Sequence, residues 1–531
     1  MSVSCLVLEA ILGTSEVYTN RPEPGGALSK QARSFKSSLK SEDYVVKALP
    51  PVLKLRDLTA MFIVILFFIT NVSSAVAGGP AGLTYWIVGA LFFFIPCCLA
   101  TAQLGVMFPH EGSLYSWTHK AFGRYGSFFV TFCAWIPCTI LILATSDLAV
   151  SYIQGLNPNW LTEPWQQGMA LLLIICFSAV VSLQRQKMIQ NMVNLVVFLI
   201  LTAVALVFIS GLVWLAGGHK SATDFSQLSS WAITWSPWWN PFTGAGNFGL
   251  FGTITLGYLG VNLPLNMAGE IAPGNKRKAI IQHLIWGMVI VVTSYLLVTY
   301  AVLVVEGQNA AYALFAMVST VDTALGRVAG NVTALCILAT FVVATVVYNY
   351  IFARFLMVAS IDQRIPKGVA RLNRNRAPTG AILFQTIVSC TFVLLFFMVI
   401  PYLHVLGTKP ADVANEVYFV VVGVATLMWA FATCFLFINI LRLYAQDRET
   451  FRSHAIVSVP LQLLSAVIGL VVGFLAILDT LFNSYIPPLI PNGQWFLVVG
   501  LLTFILLILG ALGSMLASGE AAWQSYEETT T

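Results

Sequence analysis

Gly257-Tyr258-Leu259-Gly260-Val261-Asn262-Leu263-Pro264 interrupts an apolar run that extends from about residue 246 to 269. Gly260 lets the backbone unwind, and Pro264 removes one amide donor while its ring obstructs the preceding turn. Asn262 then offers a polar group to a solute; a kinked helix with Asn262 bonded to a neighbouring helix fits the same residues. A second interruption lies upstream, at Thr70-Asn71-Val72-Ser73-Ser74-Ala75-Val76-Ala77-Gly78-Gly79-Pro80, in a run otherwise built of Phe, Ile and Leu. Freed amides there, at the start of a half-helix, can hold a carboxylate. A small-residue surface for close helix contact, with Pro80 ending the run, is the plainer alternative.

Both interruptions fall in runs long enough to cross a bilayer. A helical span takes about 20 mostly apolar residues, because unpaired backbone groups cannot face hydrocarbon. That length, applied along the chain, predicts about twelve spans, near 57–80, 83–107, 126–153, 167–184, 188–216, 246–269, 281–305, 330–358, 379–401, 413–441, 453–479 and 493–516. The composition agrees: 58% hydrophobic and 9% charged residues describe a chain whose solvent is largely lipid. The fold class is therefore an all-α polytopic membrane protein.

The basic residues orient it. Loops assigned inside hold sixteen Lys and Arg, including Arg354 through Arg376, against three outside, namely Lys220, Arg327 and Lys409. Both termini are expected in the cytoplasm, with the plasma membrane as the default membrane. The outside loop near 217–245 carries Trp231, Trp235, Trp238 and Trp239, which suit interfacial anchors or an extracellular gate. Residues 1–54 read as a cytoplasmic tail with a flexible basic stretch from Ser29 to Lys40, and 517–531 as a second tail. No cleavable signal peptide is expected.

The nine cysteines form no CxxC or His-linked cluster, so neither a metal site nor a disulfide framework is expected, and no cofactor is implied. A P-loop is missing, which excludes a self-contained primary pump, and no His-Glu-x-x-His pair suggests an intramembrane enzyme. The basic stretch Arg364 to Arg376 lies in an inside loop, where topology and anionic lipid headgroups explain it without nucleic acid.

Interruptions in spans one and six are what a repeat of five spans would produce, and matched interruptions point to an inverted-repeat carrier. Here the motifs become specific. Phe108-Pro109-His110-Glu111-Gly112-Ser113-Leu114-Tyr115-Ser116-Trp117, followed by Ala121-Phe122-Gly123, resembles the Pro-x-x-Gly-Gly-x-Tyr-x-Trp stretch of the amino acid, polyamine and organocation transporter superfamily. Leu256 to Pro273, and Arg354 through Ala377-Pro378, are similar to its sixth span and its loop after span eight. The glutamate/GABA-antiporter-like branch, or a related amino acid permease branch, is the nearest in pattern, over about residues 55–520.

The resemblance implies a leucine-transporter-like core of two five-helix repeats over 55–441, with two further helices over 442–516. It implies exchange or secondary active transport of an amino acid or related amine by alternating access. A counter-substrate or coupling ion is a possible further partner besides membrane lipids. A non-transporting receptor on the same scaffold is the alternative. The two breaks offer Ser73, Ser74, Ala77 and Gly78, then Tyr258, Gly260 and Asn262, as substrate-binding positions; Tyr348 and Asn349 of span eight suit the pore or an ion site, or hydrogen bonds between helices. Asp147, Glu270 and Glu111 are the candidates for gating or coupling. Asp147 suits a substrate ammonium or a wetted vestibule, and Glu270 suits an inner gate held against a basic loop. Asn415 and Glu416 suit an outer gate or a helix cap. Three departures stand out: the first span lacks the family's Gly-Ser/Ala-Gly-Ile-Phe sequence, Gln103 replaces an acidic residue of span two, and span five carries Asn191 and Asn194 but no lysine after Lys187. Proton coupling through a span-five lysine is therefore not expected. Small and aromatic residues at the breaks favour a neutral zwitterion of modest size, while Asp147 favours a cation.

Overall fold

A computed structural model describes residues 39–157, 159–235, 246–403, 410–485, 487 and 489–530. Trp238, Trp239, Lys409 and residues 1–38, with the basic stretch 29–38, lie outside the described residues. The described chain is helical, and two isolated bridges, Leu53 with Ile271 and Leu372 with Pro378, are its extended pairings. Ten helices are long and apolar enough to cross a membrane, from Pro80–Met107 to Asn492–Gly519, and the bent pair Leu55–Leu66 and Thr70–Val76 makes an eleventh. The sixth expected span is two short helices, Leu250–Leu256 and Leu263–Glu270, joined by a non-helical turn. With these two broken stretches counted as segments 1 and 6, we number the segments 1 to 12 in chain order.

Composition explains the helices and their faces. Pro80 and Pro164 each open a segment at its first position, where the missing N–H would have had no partner. Large apolar side chains such as Leu173, Phe198, Ile387 and Leu516 stay exposed on the perimeter, which is where lipid would cover them. Segments 3 and 8 (Arg124–Leu156 and Arg327–Ile361) form the centre, joined by Thr145 Oγ1 and Thr345 Oγ1 at 2.9 Å. Gly287 lets segment 7 close on segment 1: a Cβ there would stand 2.3 Å from the Phe62 ring. The last helix continues past 516 to Thr530, where a tail was expected.

The loops sort to two faces. On the basic face, Glu42 pairs with Lys120 at 2.9 Å, and the Ser41 amide and hydroxyl both donate to Asp362. These bonds dock the helix Lys40–Ala48 against the bundle. Leu53 then joins the end of segment 6, its N–H donating to the Glu270 carbonyl at 2.9 Å and its own carbonyl accepting from Ala272 at 3.0 Å. Residues 39–54 are thus a strap packed on the bundle and not a free tail. Arg354, counted above among the loop cations, sits inside segment 8 and is fully buried.

Gly260 takes φ +106°, and a Cβ there would lie 2.8 Å from Ile65 and 3.2 Å from Trp429. Gly274 shares the conformation, φ +108°, with open space around it. Gly274→Ala is expected to cost only the backbone strain, about 1–3 kcal/mol. Gly260→Ala adds the clash, so its thermal unfolding in detergent should fall clearly below that of Gly274→Ala; equal melting temperatures would show that the tight contact is relieved at no cost.

Candidate functional site

Segment 1 breaks at Phe67-Phe68-Ile69, with a bend of 50° between its halves. The carbonyls of Ile65 and Leu66, which an unbroken helix would pair with the amides of residues 69 and 70, are met by side chains, and Leu66 O accepts from the Phe68 amide as well, at 3.1 Å. Tyr348 donates its hydroxyl to Ile65 O at 3.0 Å, and Tyr295 donates to Leu66 O at 2.7 Å. The same Tyr295 oxygen accepts from the Phe68 amide at 2.9 Å and from Asn71 Nδ2 at 3.2 Å. The break therefore lies upstream of the Ser73–Gly79 stretch. The amides of Ala77, Gly78 and Gly79 are already engaged, donating to Ser74, Ala75 and Val76. Those amides were the expected carboxylate holders, and this pairing corrects that expectation. Gly79, at φ +57°, turns the chain into segment 2.

The segment 6 break falls where its sequence places it, around Gly260. It is held by an aromatic stack: Trp86 lies on Tyr295 with centroids 3.9 Å apart, and Phe94 lies on Tyr258 at 4.4 Å. The Tyr258 hydroxyl donates to Trp86 O at 3.1 Å. The two breaks touch, since a Cβ on Gly257 would be 3.0 Å from Asn71 Nδ2.

Between the breaks lies a cavity of about 540 Å³, lined by segments 1, 3, 6, 8 and 10. Ser73, Ser74, Asp147, Tyr348 and Asn415 line it. A second cavity of about 650 Å³ shares Ser74, Thr253, Tyr312 and Tyr485 with the first and adds Ala77. The expected residues therefore divide. Gly78 packs on Leu250, and Tyr258 is buried under the ring stack. Gly260 sits against Ile65 and Trp429 as described. Asn262 is buried and donates to Ser113 Oγ at 3.4 Å. Asn349 donates to Thr386 Oγ1 at 3.1 Å and Ser178 Oγ at 3.4 Å, in the seam with segments 4 and 9 and away from the cavity. Glu416 lines neither cavity.

Towards the basic face lies a cluster of buried polar side chains. Arg354 Nη2 meets Glu270 Oε1 at 2.6 Å, both side chains fully buried, and also donates to the Tyr350 hydroxyl at 2.9 Å. The partner of Glu270 is thus a helix residue and not a basic loop. Ser113 and Asn266 are hydrogen-bonded beside it. Glu111 packs its carboxyl against Gly269 and within reach of Glu270. Two carboxyls thus face one buried guanidinium. Burial pushes the Glu111 carboxyl well above the ordinary carboxylate range, and the neighbouring Glu270 charge pushes it further, against the opposing pull of Arg354 and Lys276.

Several supporting residues were illegible one by one. Tyr295 carried no local signal, because its role depends on a break 227 residues away. Asn194 donates to Asp57 Oδ1 at 3.2 Å, and Asp57 caps the start of segment 1, so the span-five amide anchors the first helix. Gln103 donates to His454 O at 3.2 Å and accepts from the Ile456 amide at 3.1 Å, a double duty that an ionised carboxylate could not perform.

Comparison with known proteins agrees with this architecture. A family model described as amino acid permease matches residues 55–508. An uncharacterized transporter of Legionella pneumophila is 23% identical over 457 residues, covering 79% of this chain and 88% of its own. The crystal structure of a mutant manganese transporter from Eremococcus coleocola superposes with a TM-score of 0.55 at 13% identity, covering 93% of this chain and 97% of that one. At that identity the likeness is one of fold.

Tyr295→Phe keeps the ring stack and removes the hydroxyl that bonds the Leu66 carbonyl, the Phe68 amide and Asn71, leaving the first two only their 3.1 Å bond to each other, at a cost of about 1–3 kcal/mol. Its melting temperature should fall further than that of Tyr348→Phe, which frees one carbonyl. Glu111 should stay protonated to higher pH than an exposed carboxyl, giving an infrared band of un-ionised carboxyl that Glu111→Gln lacks. Because a raised acid pKa favours the protonated form, cohesion of this cluster should be strongest at low pH. It should weaken as pH rises through the raised value. Thiol labelling of a cysteine placed beside this cluster would read the change, and a flat pH profile would contradict it.

Proposed function

The chain belongs to the amino acid permease family, and from that premise we propose that it is a secondary carrier moving amino acids or related amines by alternating access. It is a polytopic membrane transport protein and not an enzyme. The observation that carries the proposal is the meeting of two broken helices at one cavity, continuous with a vestibule on one face and sealed by buried polar contacts on the other. A cavity of about 540 Å³ is of the size that takes a small solute.

In this reading segments 1–5 and 6–10 are the two inverted repeats, and all twelve segments cross the membrane with both termini and the basic face in the cytoplasm. The described conformation then faces outward. Ser73, Ser74 and Tyr348 meet the solute from segments 1 and 8. Tyr258, Gly260 and Asn262 act behind the wall, shaping the segment 6 break. Glu270, Arg354 and Glu111 form the inner gate. Opening it means separating an ion pair in a dry interior. Loss of one partner there typically costs about 3–5 kcal/mol, so the separation must be repaid by rehydration or new partners on the inward-facing side.

Radiolabelled amino-acid efflux from liposomes holding the purified protein is the test, with amino acids and amines supplied outside and proton and sodium gradients varied separately. Labelled solute is expected to leave only protein-containing vesicles. Dependence on an outside solute defines exchange, and dependence on a gradient defines coupling. Binding without flux would replace the carrier with a receptor on the same scaffold.

A further inference from the structure

The charges along the solvent route select the solute. Among the described residues lining the 540 Å³ cavity, Asp147 is the one carboxylate, and no Lys, Arg or His lines it. The adjoining 650 Å³ vestibule repeats the pattern, with Asp479 as its one acid and no base. The two acids differ in their commitments. Asp479 is spent on the fold, accepting from the Gly252 amide and from Asn483 Nδ2, each at 2.7 Å. Asp147 receives no hydrogen bond and no ion pair from any described residue, although its neighbours Thr145 and Ser146 are both bonded within the helix bundle.

Asp147 is also aimed. Ile140, Ala144, Asp147, Leu148 and Ser151 recur at three- and four-residue spacing and all line the cavity, so the carboxylate stands on the wetted face of segment 3. The wall across from it is aromatic, with Tyr312, Tyr418, Phe419 and Trp429 among the lining residues. An unpartnered carboxylate on a low-dielectric wall is unfavourable until a cation joins it, and aromatic faces add to the attraction for that cation. A solute with net negative charge meets two like charges on this route and nothing to offset them. A cleft lined by one sign of charge concentrates ions of the other.

We infer that the transported solute is an organic cation, either an amine or an amino acid with a second ammonium or a guanidinium, and that Asp147 pairs with its positive group. This inference rests on the carrier reading and narrows it, setting aside the neutral zwitterion that the small residues at the breaks had favoured.

The test uses the full-length purified protein. Scintillation-proximity binding and liposome flux are measured for putrescine, agmatine, lysine and arginine, against leucine, 4-aminobutyrate and glutamate, with Asp147→Asn and Asp147→Glu beside the natural chain. Cations are expected to bind at least about tenfold more tightly than the neutral solutes, the scale of one charge-assisted hydrogen bond. Asp147→Asn should erase that preference and Asp147→Glu should retain it. Equal or better binding of leucine or glutamate would overturn the inference while leaving the carrier intact. So would a cation preference untouched in Asp147→Asn, or stabilisation by sodium alone that depends on Asp147. Asp147-dependent binding of an amine without flux would uphold the inference for the ligand and overturn the carrier.

Discussion

An amide or carbonyl stranded in hydrocarbon is costly enough that every non-helical turn at membrane depth must find it a partner. In this protein the first such turn is satisfied by two tyrosine hydroxyls. Tyr295 of segment 7 serves a carbonyl, an amide and a side-chain amide at once, and Tyr348 of segment 8 serves the preceding carbonyl. Much else follows from this bonding. The bent halves of segment 1 frame the cavity, Trp86 stacks on the ring that holds the bend, and Tyr258 ties the segment 6 break to the same stack. The two breaks are one aromatic construction, so a shift at either is felt at the other.

The closed face follows different physics. Arg354 and Glu270 are buried where an unpaired charge would be severely penalised, yet replacing such a pair with apolar groups often stabilises a protein. The pair is therefore better suited to holding one of two arrangements than to raising stability as such. Glu111 adds a second acid to a single guanidinium, and burial beside Glu270 disfavours a charge on it. The cavity side is built differently, with a carboxylate that no described residue partners, among aromatic walls. Permanent partners close one end, and a missing partner marks the other.

Much of this was legible in the chain. Hydrophobic run length located most segment ends to within about five residues, the last helix running on to Thr530 being the chief exception, and Gly260 with Pro264 marked the second break, because there the local chemistry and the local conformation agree. The first break was displaced. The Gly78-Gly79-Pro80 signal was real, but it marks the turn into segment 2, while the bend at Phe67-Phe68-Ile69 has no glycine or proline of its own. Its cause is tertiary, a hydroxyl delivered from segment 7. Asn349 takes the second of its two readings, bonding to neighbouring helices: a helix polar group at membrane depth points either to a pore or to another helix, and periodicity alone does not choose between them. Arg354 was counted with the loop cations because a charged residue at a span's end is usually wetted, and only its pairing with Glu270 made deep burial tolerable.

The strap formed by residues 39–54 carries one more consequence. Its helix is hydrogen-bonded to Asp362 just beyond segment 8, and Leu53 is hydrogen-bonded to the backbone on both sides of Ile271, immediately beside the closing pair. In the carrier reading this strap therefore reaches from the docked helix at Lys40 to the inner gate. For anyone preparing this protein, an amino-terminal tag, reporter or truncation close to Lys40 would in that reading bear on its conformational cycle.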